Sequence, residues 1–152
     1  MGRIEERLQE LGIALPHLPP PLANYVPAVR VGTLVQTAGQ VSSLPGHAYT
    51  GKLGAPRSVE EGQAATRICA INCLAALRSV LDSLDQVEQI VAVHGFMNSA
   101  ADFTEQAAVM NGASDLMVAV FGEVGRHTRT AVGVAALPLD FTASVYLIAA
   151  IS

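Results

Sequence analysis

The ten residues from Arg129 to Pro138 constrain the fold more than any other stretch. They read Arg-Thr-Ala-Val-Gly-Val-Ala-Ala-Leu-Pro. Side chains on a strand alternate between its two faces. Here both alternating sets, Ala131/Gly133/Ala135 and Val132/Val134/Ala136, are apolar or small. Thr128 to Leu137 is therefore expected to be a strand covered on both sides. Helices of the same chain can supply one cover. The other calls for a second subunit.

The first cover is easy to find. Ser58 to Leu84 carries Ala70, Leu74, Leu77, Leu81 and Leu84 at four-three spacing, which places one apolar stripe along a helix. Ser58 and Glu61 have the spacing of a capping box, and Arg67, Arg78 and Asp82 lie off the stripe. A second helix is expected over Ala101 to Phe121, with Asp102 as cap, Glu105 at capping-box spacing and Gly122 and Gly125 at its end. Gly112 weakens its middle by about 1 kcal/mol relative to Ala.

The remaining strands follow from alternation and turn chemistry. Ala28 to Val31 and Leu34 to Thr37 flank Gly32-Thr33, a tight hairpin turn, and Gly39-Gln40 ends the second strand. Leu44 to Gly54 is a loop with a short edge strand, Val87 to Met97 a buried strand, and Phe141 to Ile151 the last strand. Two helices and five or six strands make an α+β two-layer sandwich, with both helices on one face of a mixed sheet.

The length, 152 residues, suits one domain over 1–152. Residues 1–21 form its N-terminal part: a short helix from Arg3 to Leu11, then a connector with four prolines between Pro16 and Pro21. Apolar residues make up 51% and charged residues 14%, against about 25% charged in an average chain. So greasy a chain points to surface hidden in an oligomer. The net charge of −4, with nine scattered basic residues of which only Lys52 is a lysine, argues against a nucleic-acid surface. No run reaches the roughly 18 to 20 apolar residues of a membrane span, and the charged N-terminus is no signal peptide, which leaves the cytoplasm as the expected location.

Few residues carry chemistry. Arg129 heads an otherwise uncharged strand, so its guanidinium must find a partner. Its planar fork suits the carboxylate of a small ligand, or else a structural ion pair. His127 is a candidate acid or base, or an ordinary loop residue. His94 reads as a core histidine bonded to backbone. Cys69 and Cys73 read as small buried residues, since a disulfide at that helical spacing is strained and two thiols do not close a zinc site. No metal, nucleotide or hydrolase motif is present, and no cofactor is expected.

Four stretches in order resemble the YjgF/RidA family, also labelled endoribonuclease L-PSP. They are Ala23-Asn24-Tyr25-Val26-Pro27-Ala28, Val31 to Gln40 ending in Ala-Gly-Gln, Asn111 within Val109 to Leu116, and the Arg129-to-Pro138 strand. The segments Asn-Gly-Ala-Ser-Asp-Leu and Gly-Arg-His-Thr-Arg are similar to those of a divergent subgroup. The resemblance implies a chorismate-mutase-like fold and a homotrimer whose sheets form a barrel, with ligand clefts between subunits. It implies that Arg129 holds the carboxylate of a 2-imino or 2-keto acid. Tyr25 and Asn111 would line the cleft, Gly39 would shape its backbone and Ala131 would offer backbone groups; His127, two residues before Arg129, is added to the ligand-site candidates on its own chemistry. The implied reaction is hydrolysis of a reactive enamine or imine to a keto acid and ammonia. The family's deaminases carry a glutamate on the last strand where this chain has Ser144, leaving Arg129 and Ser144 as the catalytic candidates. A non-catalytic binding trimer and an endoribonuclease are the alternatives, and the acidic charge argues against the latter.

Overall fold

The computed structural model describes residues 1–152. Helix α1 spans Arg3–Glu10 and buries Ile4 and Leu8. Strands β1 (Ala28–Val31) and β2 (Leu34–Thr37) form the expected hairpin, with Gly32 at φ +60° in the turn. Short strands follow: β3 (Gln40–Val41), β4 (Ser43–Leu44) and β5 (His47–Ala48). Next come helix α2 (Val59–Arg78), β6 (Val87–Asn98), helix α3 (Gln106–Phe121), β7 (Thr128–Val134) and β8 (Ala143–Ile151).

Six strands make one mixed sheet in the order β1-β2-β8-β6-β7, with β3 continuing the β2 side of β8. Only β6 and β7 are parallel, and α3 is the crossover between them. The fold is the α+β sandwich with a chorismate-mutase-like topology that the sequence implies. A core of 32 buried residues lies between the helices and one sheet face. Val145, Leu147 and Ala149 of β8, Val93 and Met97 of β6, Leu74 and Leu77 of α2, and Met110 and Met117 of α3 are all buried in it.

The α2 cap forms as expected. The Glu61 amide donates to Ser58 Oγ and the Ser58 amide to Glu61 Oε1, both at 3.1 Å. The bond from the Ser58 amide, joined by the Arg57 guanidinium 2.7 Å away, holds the Glu61 carboxyl below its usual pKa. Helix α2 stops at Arg78, six residues before Leu84, and Leu84–Gln86 forms a separate 3₁₀ turn. Leu81 and Leu84 still reach the core.

Other boundaries differ from the sequence expectation. Helix α3 starts at Gln106, and no side chain caps it, so the Asp102/Glu105 box is not made. The backbone before it is tied to other elements instead: Ser99 N–H donates to Val134 O, and Ala100 N–H to Leu53 O. β2 ends at Thr37, before Gly39-Gln40, and Gln40 opens β3. The segment expected as one edge strand is a two-residue hairpin, β4 with β5. Residues Gln106–Gly125 are long and apolar enough to pass as a membrane-crossing helix, although the apolar run is broken. In the fold Val109, Met110, Ala113 and Met117 of that helix are buried in the core.

Gly112 has a packing role. A Cβ there would stand 1.9 Å from the Gln63 carbonyl oxygen, so its hydrogen atom lets α3 lie directly on α2. Thr66 Oγ1 donates to Val109 O at 2.9 Å, and Gln63 Nε2 to Ala108 O at 2.9 Å, across the same contact.

The two-sided burial expected over Thr128 to Leu137 is not met within one chain: β7 ends at Val134, and none of its residues is fully buried, because it is an edge strand. Ala131 and Gly133 face the helix layer, where Ala131 packs against the core and a Cβ on Gly133 would strike Gln106. On the other face Val132 is 40% exposed, and β7 is an edge strand. Val29, Val31 and Leu34 are exposed on the same open sheet face. His94 also lies there, half-buried, its ring 4.7 Å from that of Tyr146. It is not the backbone-bonded core histidine expected, because its register on β6 turns it away from the helices.

Candidate functional site

Arg129 is the second residue of β7, and its register opposite Val93 sends its side chain toward α3. Three acceptors on α3 meet it. Nη1 donates to Asn111 Oδ1 at 2.8 Å and to Ser114 Oγ at 3.3 Å, and Nη2 donates to the Ala107 carbonyl at 3.1 Å. Residues 107, 111 and 114 follow four-three spacing, so one face of α3 presents all three. A guanidinium has five N–H donors. Those on Nε and one on Nη2 have no acceptor in the chain. Nor does any carboxylate neutralise Arg129, since the salt bridges are Arg7–Glu10 and Arg57–Glu61.

Behind this cluster stands His127, half-buried. Its Nε2 is 2.9 Å from Ser114 Oγ and its Nδ1 is 2.6 Å from the Gly125 carbonyl. The two segments that mark the divergent subgroup, around Ser114 and His127, are therefore in contact. Ser114 escaped the sequence reading, because a serine on a polar helix face is unremarkable. The three-residue step from Asn111 was the signal that could have found it.

The other candidates lie elsewhere. Gly39 joins β2 to β3, and a Cβ on it would come within 3.2 Å of Ser144 Oγ. Ser144 is half-buried on the open face of β8, between Val41 and Phe96, and its hydroxyl has no hydrogen-bond partner in the chain. Tyr25 is 59% exposed just before β1. It borders two grooves. One, of about 690 Å³, runs under the Pro-rich connector past Gly39. The other, of about 600 Å³, crosses the apolar open face at Val29, Leu34 and Ile148.

The candidates thus fall into two groups. Arg129, Asn111, Ala131 and His127 stand at the β7 edge. Tyr25 and Gly39 stand toward the other side of the sheet, with β6 and β8 between, and Ser144 stands on β8 itself, with β6 between. Three strand spacings from β7 to β3 amount to about 14 Å. Arg129 also leaves the sheet on the helix side, whereas Ser144 leaves it on the open side. One chain does not bring the groups together.

Cys69 and Cys73 are wholly buried behind Ser144, their Sγ atoms 3.5 Å from Ala143 O and 3.3 Å from Val145 O. Burial pushes the Cys73 thiol up to about 12 and Cys69 up as well, so neither offers a thiolate. No three His, Cys, Asp or Glu side chains gather as metal ligands.

The profile of the family described as "YjgF/chorismate mutase-like, putative endoribonuclease" matches residues 5–151. Protein TCP17 of Trypanosoma cruzi is 47% identical over 146 residues, which are 95% of this chain and 91% of that protein. The crystal structure of a "putative endoribonuclease" from Shewanella oneidensis superposes with a TM-score of 0.94 at 36% identity, covering 99% of this chain and 100% of that one. E. coli TdcF with bound serine is more distant, with a TM-score of 0.59 at 27% identity over 90% of this chain and 94% of that one.

Proposed function

The chain belongs to the YjgF/chorismate mutase-like family, and from that premise we propose that it binds a small 2-keto or 2-imino carboxylate on Arg129, in a cleft completed by a second subunit. The observation that carries this reading is a cation with no carboxylate partner and two unclaimed donors. An Nε–H and an Nη2–H on one edge of a guanidinium match the two oxygens of a carboxylate. The serine bound to TdcF is a ligand of that chemical class.

The second subunit brings what Arg129 lacks. In a cytoplasmic homotrimer with its open sheet faces turned inward, the Tyr25, Gly39 and Ser144 group of one chain meets the Arg129 group of the next. The same assembly covers Val29, Val31, Leu34 and Val132, which one chain leaves exposed. It also supplies the second cover that the Arg129 strand calls for. Asn111 and Ala131 line the Arg129 side of that cleft.

The test is calorimetric titration with pyruvate. Arg129→Ala is expected to weaken binding at least about a hundred-fold, as loss of one partner of a charged pair costs about 3 kcal/mol. Equal binding by the folded variant would exclude Arg129 as the clamp.

One observation favours a second reading, hydrolysis of the bound imine. The Ser144 hydroxyl has no protein partner, which leaves it free to orient water. A serine is a poor base, and the missing general base is worth about 10²- to 10⁴-fold. Ammonia release from freshly generated 2-aminoacrylate should therefore be accelerated only modestly, with Ser144→Ala slower still. No acceleration by the folded assembly leaves binding alone. Ribonuclease activity is not part of the proposal, given a net charge of −4 and scattered basic residues.

A further inference from the structure

Both ring nitrogens of His127 are engaged, and the acceptors around them dictate where its proton sits. The Gly125 carbonyl can only accept, so Nδ1, 2.6 Å away, carries the hydrogen. In the neutral ring Nε2 then has a lone pair, and Ser114 Oγ, 2.9 Å away, donates to it. With its hydrogen committed, Ser114 meets Arg129 Nη1 at 3.3 Å as an acceptor. Each assignment forces the next. The chain of donors runs one way, from Arg129 through Ser114 and His127 to Gly125.

We propose that Ser114 and His127 are positioning residues, which aim the free edge of the Arg129 fork and do not touch the ligand. The proposal rests on the carboxylate reading of Arg129. Asn111 and Ser114 take both Nη1 hydrogens, and Ala107 O takes one from Nη2. Three points fix the guanidinium plane and leave Nε–H and one Nη2–H unclaimed. A serine alone would be a loose third point, because its hydroxyl rotates. His127 removes that freedom, and the Gly125 carbonyl in turn fixes His127. No carboxylate lies within salt-bridge distance of His127, so nothing else competes for its ring nitrogens. Positioning of this kind raises affinity by reducing what must be ordered when the ligand arrives.

The experiment has a ligand-free arm and a binding arm. Imidazole ¹⁵N NMR of the wild-type protein, at a pH where the ring is neutral, should show His127 with hydrogen on Nδ1, the form less common in free histidine. Hydrogen on Nε2 would overturn the proposal. In pyruvate titrations Ser114→Ala and His127→Phe should each weaken binding by on the order of ten-fold. Ser114→Thr, which keeps the hydroxyl, should stay near wild type. Wild-type affinity in both Ser114→Ala and His127→Phe would also overturn it, as would a Ser114→Thr loss equal to that of Ser114→Ala. If pyruvate binds neither wild type nor Arg129→Ala, the carboxylate reading fails, and the NMR arm still decides the His127 arrangement.

Discussion

Arg129 keeps an unpaired charge at little cost because it is exposed at a sheet edge, with three neutral acceptors sharing the guanidinium. Asp85 shows the opposite arrangement, a carboxylate with a structural task. It accepts from the Ile4 amide at 2.8 Å and the Arg3 amide at 2.9 Å, so it caps α1 from the far side of the chain. Those amides, Ile4 first, hold its carboxyl below the usual range. Its stabilising contribution is thus complete above the ordinary carboxylate pKa of about 4 and fades as pH falls through the lower folded value. Asp85→Ala should be less stable than wild type at neutral pH, and the gap in urea midpoint should close in strong acid. A gap that persists unchanged there would remove this role. At this scale the sequence was selectively legible. Arg129 stood out as a charge heading an apolar strand. Asp85 and Ser114 did not, because each acts on a partner more than a dozen residues away in the chain.

Among the elements, α2 was the most legible, since its cap and apolar stripe both act within one helix. Its end was not, because Leu81 and Leu84 continue the stripe after the helix has stopped. The start of α3 was misplaced for a related reason: Ser99 and Ala100 ahead of it are tied to the sheet and to Leu53, and the helix begins only at Gln106 with no side-chain cap. Gly112 was read as a weak point in α3, whereas it is the place where the two helices meet. Ala at this position is favoured by about 1 kcal/mol in helix propensity. Its Cβ would nevertheless strike Gln63 O, and overpacking of this kind costs about 1–3 kcal/mol. Gly112→Ala should therefore be neutral to destabilising by about 2 kcal/mol in chemical denaturation. Clear stabilisation would show that the α2–α3 contact is looser than described.

The whole molecule leaves two things unfinished at once. Its sheet has an open apolar face, and its candidate residues stand in two groups that one chain keeps apart. The composition and the Arg129 strand made the first legible, since both faces of that strand are apolar. The division of the site was hidden, because sequence order gives no distance across a sheet. The proposed homotrimer would resolve both, and its mass should be three times 15.8 kDa in sedimentation. Val132→Asp, which puts a charge on the open face, should shift that mass toward one chain. The most direct test is a crystal structure of the protein grown with pyruvate. The expected result is three chains, with the carboxylate on Arg129 Nε and Nη2 and the Tyr25–Gly39–Ser144 group of a neighbouring chain across the cleft. Pyruvate bound away from Arg129, or held on Arg129 with no neighbouring chain beside it, would contradict the account.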